Sequence, residues 1–70
     1  MIAEIKSFSS RDWYMKIEAN GFTMSYIFDS IEKSEVDPTK YMLYRKHVFI
    51  GKVPKQLIDE SDSEVVNIIK

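Results

Sequence analysis

The dipeptide Asn20-Gly21 separates two runs of alternating character, Trp13–Ala19 and Phe22–Phe28. Asparagine and glycine accept the positive φ that a two-residue type I′ turn demands, so the pair predicts a tight β-hairpin. A two-residue loop also fixes register. Ala19 then faces Phe22, Ile17 faces Met24, Met15 faces Tyr26 and Trp13 faces Phe28, all uncharged and all on one side. Glu18/Thr23, Lys16/Ser25 and Tyr14/Ile27 take the other, mostly polar side. A slip of one residue would turn the apolar set to water, so turn chemistry and patterning select the same register. The ribbon gathers Trp13, Met15, Ile17, Met24, Tyr26 and Phe28 on one face, and the remaining residues are expected to shield it.

A lone two-stranded ribbon is marginal in water. Partners must come from the flanks. Residues 1–8 fit a short edge strand with Glu4 and Lys6 turned outward better than a helix, whose spacing Ile2 and Ile5 also meet, and a polar connection follows at Ser9-Ser10-Arg11. Asp29 and Glu32 have capping-box spacing, which predicts one or two helical turns or an irregular link over 30–35. Asp37-Pro38-Thr39-Lys40 suits a type I turn, with proline at its second position.

Tyr41–Val53 is rich in aromatic and β-branched residues and reads as strand. A turn at Arg45-Lys46 would divide it in two, placing Leu43 opposite Val48 and Tyr41 opposite Ile50, although neither turn residue favours positive φ. Gly51 marks a bulge or a close backbone approach. Pro54 suits the first turn of a helix continuing through Glu60. Ser61 and Glu64 repeat the capping-box spacing, so a second helical segment is expected with Val65, Ile68 and Ile69 on one stripe, the alternative being a final strand over the β-branched residues 64–70. The expected fold is α+β: one domain over residues 1–70, a small antiparallel sheet of three to four strands built on the 13–28 hairpin, and a C-terminal helix packed on one face.

With 70 residues, 44% hydrophobic and 13% aromatic, the chain suits one small globular core. It has no cysteine, which removes disulfides, thiolate zinc sites and thiol catalysis. The first ten residues lack the pattern of a signal peptide, and no window has the length of a membrane span, so the expected location is cytoplasmic.

Two glycines cannot build a phosphate-binding or nucleophile-elbow motif, since each needs two or more at fixed spacing. His47 is the only histidine and has no nucleophile or ligand set around it in a known pattern. The acidic run Asp59–Glu64 places Ser61, Ser63 and Glu64 where a calcium loop needs acids or amides and glycine. These readings point away from an enzyme and call for no cofactor or metal.

Charge is uneven although the net is −1. Residues 1–39 carry −3, residues 56–70 carry −3, and residues 40–55 hold five cations and no acid. In that middle, Lys40, Tyr41, Tyr44, Arg45, Lys46, His47, Phe49, Lys52 and Lys55 interleave cations with aromatics. Such a surface suits recognition of a macromolecule. Aromatic, methionine and arginine side chains enrich protein interfaces, and the expected role is a non-catalytic protein-binding module: a regulator, inhibitor or assembly factor, of the kind found among bacterial or bacteriophage accessory proteins, and acting alone or as a homodimer. The site residues are Lys40, Tyr41, Tyr44, Arg45, Lys46, His47, Lys52 and Lys55. The alternative is a nucleic-acid-binding domain using the 40–55 segment, with cations on phosphates and aromatics as stacking platforms. An overall pI near 5.7 favours the protein reading.

Overall fold

The computed structural model describes residues 2–61 and 64–70. The chain forms six strands, β1 (Ile2–Ser7), β2 (Trp13–Ala19), β3 (Phe22–Phe28), β4 (Ser30–Lys33), β5 (Lys40–Arg45) and β6 (Val48–Pro54), then a five-residue helix α1 (Lys55–Asp59) and a 3₁₀ turn at Glu64–Ile68. They build two antiparallel three-stranded sheets, ordered β1-β2-β3 and β4-β5-β6. The expected single sheet under a C-terminal helix is therefore wrong. The fold is mostly β, and among the described residues helical structure is confined to two short pieces.

The hairpin has the register its turn dictates, from Ala19 opposite Phe22 to Trp13 opposite Phe28. Asn20 and Gly21 take φ of 50° and 81°. β1 is the expected strand and pairs along the far side of β2.

Segment 30–33 is strand rather than helix. Phe28 and Ile31 are both fully buried, yet three residues apart they would face opposite sides of a straight strand. The bend at Asp29 reverses that parity and carries the chain from one sheet into the other. Asp29 gives its N–H to the Tyr44 carbonyl at 3.0 Å, so this link already pairs with β5. A capping-box spacing is local, whereas Ile31 packs opposite Leu43, and the tertiary contact wins.

The second hairpin turns one residue later than expected, at Lys46-His47, with φ of 52° and 67°. Arg45 faces Val48 and Tyr44 faces Phe49, while Leu43 faces Gly51 and Tyr41 faces Val53. The register shift leaves Ile50 as the extra residue of a bulge beside Gly51. The turn is tied down from outside, because the Lys46 N–H donates to Asp29 Oδ2 at 2.9 Å. Asp37-Pro38-Thr39-Lys40 forms its turn, closed by the Lys40 N–H on the Asp37 carbonyl at 3.1 Å.

The core is shared by both sheets. Met15, Ile17 and Phe28 come from the first, Ile31, Tyr41, Leu43 and Val53 from the second, and Ile58 and Val65 close it from α1 and the 3₁₀ turn. Val65 and Val66 are β-branched and oppose an α-helix, so the last segment tightens to 3₁₀. The proposed capping box at Ser61–Glu64 spans Asp62 and Ser63, which lie outside the described residues, as does part of the acidic run. The Ser61 hydroxyl donates back to the Ile58 carbonyl at 2.7 Å. The shielding of the main hairpin is incomplete. Trp13 and Tyr26 are half-buried, and Met24 near its tip is 53% exposed.

Candidate functional site

Alternation along β5 divides the basic segment into two sets. Tyr41 and Leu43 face the core, whereas Lys40, Met42 and Tyr44 face out. Tyr41, expected at the binding surface, is only 3% exposed. Its hydroxyl donates to Asp59 Oδ1 at 2.9 Å, tying β5 to the end of α1. Burial first, then that carboxylate, pushes the phenol up to about 12. It is a structural tyrosine.

The outward set continues onto β6 through the bulge. Phe49 and Lys52 are three apart and would lie on opposite faces of a regular strand. The extra residue puts Phe49 opposite Tyr44 and Lys52 opposite Met42, so both join the outer face while Val53 turns into the core. Tyr44 and Phe49 meet edge to face, with centroids 5.8 Å apart and planes at 67°. The Tyr44 hydroxyl reaches Met42 Sδ at 3.7 Å. Two aromatics and a methionine therefore make one apolar ridge, flanked by Lys40 and Lys52.

At the end of this face, Tyr44 also lines a notch of about 240 Å³ with Asp29, Ser30, Glu32, Lys46, His47 and Lys70. That volume is below the usual range of a small-molecule site but suits one inserted side chain. Lys46 and His47 stand exposed at its rim, on the strained turn. Lys40 and Lys55 share a separate shallow depression with Asp59 and Glu60. Arg45 points elsewhere. Its guanidinium approaches Asp12 at 3.7 Å on the first sheet's side of the molecule.

The structure thus gathers Lys40, Tyr44 and Lys52 on one face, with Lys46 and His47 at its end and Lys55 beside Lys40 alone, and separates Tyr41 and Arg45 from them. It adds Met42, which the Lys40-Met42-Tyr44 alternation could have indicated, and the acids Asp29 and Glu32, one just before and one within a strand formed where the sequence predicts one or two helical turns or an irregular link. Among the described residues, no group of three or more histidine or acidic side chains is placed to hold a metal ion, and no helix is long and apolar enough to cross a membrane.

The first sheet's outer face differs. Lys16 pairs with Glu18 at 3.1 Å, Lys6 stacks over the Tyr14 ring at 5.5 Å, and the Tyr14 and Ser25 hydroxyls share a 3.2 Å hydrogen bond. These polar groups partner one another locally. No protein-family model, curated protein or solved structure matches this chain.

Proposed function

We propose that this chain is a non-catalytic protein-binding module that docks its partner on the outer face of the second sheet, acting as a regulator, inhibitor or assembly factor by occupying that partner's surface. The observation that carries the reading is Phe49. It is 49% exposed on a strand, held edge-on by Tyr44 beside Met42, where a soluble domain would ordinarily place a polar residue. Aromatic and methionine side chains ringed by charge have the makeup of an interface centre and its rim.

The same lysines could track phosphates. Neighbouring carboxylates favour the protein reading. Glu32 and Asp29 share the notch with Lys46 and His47, and Asp59 and Glu60 sit beside Lys40 and Lys55. A phosphate backbone would meet repulsion at each cluster, whereas a protein surface can answer both signs.

A photocrosslinking side chain placed at Phe49 in the full chain, exposed to extract of the native source, tests this. A single protein adduct from position 49, and none from a control at Glu4, is expected. Equal labelling at both positions, or an adduct made of nucleic acid, overturns the proposal. Titration with single- and double-stranded oligonucleotides at two salt concentrations gives the companion measurement. Affinity that collapses with salt and is lost in Lys46→Glu would establish the nucleic-acid reading instead.

A further inference from the structure

The sheet edges of this fold are not equally protected. β4 is covered by the chain's own end, since the Lys70 N–H donates to the Ile31 carbonyl and the Lys33 N–H to the Lys70 carbonyl, each at 3.1 Å. β6 carries a bulge, Lys52 and Pro54, all devices that discourage strand addition. β1 carries Glu4 and Lys6 and lies against α1. β3 lies against β5 but carries no charge, proline or bulge. Phe22–Phe28 reads FTMSYIF, seven residues without charge, proline or glycine, and its first four are exposed.

The two-residue turn makes Ala19/Phe22 a hydrogen-bonded pair, so Phe22, Met24 and Tyr26 bond towards β2 while Thr23, Ser25 and Ile27 aim their N–H and C=O outward. Asp29, of the same parity as these, gives its N–H across to Tyr44, which marks where the free edge ends.

We infer that β3 pairs antiparallel with β3 of a second copy of this chain, about a two-fold axis through Met24, joining two three-stranded sheets into one of six strands. Self-pairing fits this strand specifically. A two-fold at Met24 sets Thr23 opposite Ser25, two residues whose backbone groups point outward, and Phe22 opposite Tyr26 on the apolar face. No charge meets its own image. Phe22 is 75% exposed and Met24 53%, so each copy brings the side chains that the other leaves uncovered. The incoming Phe22 meets Tyr26, itself only half-buried. A groove of about 490 Å³ lined by Tyr14, Ser25, Tyr26, Ile27, Arg45 and Ile50 borders the same strand, and Arg45 Nε is buried without a hydrogen-bond partner. The Phe49 surface lies on the other sheet, so this inference stands or fails independently of it.

Light scattering on the full chain over a concentration series reads the outcome. A mass of twice the 8.2 kDa chain is expected, falling to one chain in Met24→Lys, which places like charges face to face. A second pair of variants fixes the register without relying on dissociation. The chain has no cysteine, and in the pairing proposed Met24 faces its own copy across a non-hydrogen-bonded position, close enough for a disulfide. Met24→Cys is expected to oxidise to a covalent dimer faster than Thr23→Cys. A monomer in the unmodified protein overturns the inference, as does a dimer that Met24→Lys leaves intact or that links equally well through both cysteines.

Discussion

Gly51 lies against the ring of Tyr26: a Cβ built on the glycine would stand 2.7 Å from Tyr26 Cε1. The two residues belong to different sheets, and this contact is where the second sheet's bulge meets the first. Gly51→Ala must push a half-buried ring aside, which is expected to cost about 1–3 kcal/mol by the usual penalty for overpacking. Tyr26→Leu removes the obstructing ring. Denaturant midpoints of both single variants and the double should show Gly51→Ala costing clearly less in the Tyr26→Leu background.

Gly21 is the opposite case. Nothing lies within 4 Å of its hypothetical Cβ, but its φ is +81°. Gly21→Ala is therefore expected to cost about 1 kcal/mol through the backbone alone. No substitution at a neighbouring side chain should relieve it.

Lys46 and His47 hold positive φ without being glycine or asparagine. Replacing the pair by Asn-Gly keeps the N–H that bonds Asp29 and is expected to raise stability by about 1 kcal/mol. If the strained turn is kept because its side chains rim the notch, the same change weakens partner binding. Thermal denaturation and crosslinking yield from position 49, measured on one variant, would move in opposite directions.

Tyr41 links stability to alkaline pH. Its folded pKa is raised from the usual 10 to about 12, chiefly by burial. The stabilisation that depends on the neutral phenol is thus whole below pH 10 and is lost as pH climbs through 12. Tyr41→Phe should flatten that alkaline decline and, by removing the bond to Asp59, cost about 1 kcal/mol at neutral pH. Urea midpoints between pH 7 and the alkaline limb, for both proteins, check it.

Asp37 should act at the acid end. The Thr39 hydroxyl, bonded to its carboxylate at 2.6 Å, and then the Thr39 N–H hold its pKa below the usual 3.8. A depressed folded pKa gives stability that is present above the ordinary value and lost as pH falls through the lowered one. Thr39→Val removes the hydroxyl and should shift the acid loss to higher pH, read by circular dichroism on acid titration.

The 13–28 hairpin was legible because two local signals, turn chemistry and alternation, agree on one register. What alternation could not say is whether anything covers the face it defines. Met24 shares a face with Met15, yet one is exposed and the other buried. β4 was hidden because Asp29 and Glu32 carry a helix-start spacing, while the burial of Ile31 opposite Leu43 is decided far away in sequence. The Lys46-His47 turn has no turn chemistry of its own; it rests on Asp29, and only Gly51 hinted at the bulge that resets the pairing. At the site, taking Tyr41 and Tyr44 together ignored that an odd offset on a strand separates the two across the sheet.

The Phe49 surface is an outer surface only because the inner faces of the two sheets share one core. Trp13, the sole tryptophan, reports the first sheet by fluorescence, and the amide signals of Leu43 and Val53 report the second. Following both probes through one denaturant titration measures that sharing directly. Coincident midpoints and slopes are expected for a single cooperative unit. Two separate transitions would contradict it, leaving each sheet with an inner face of its own to cover.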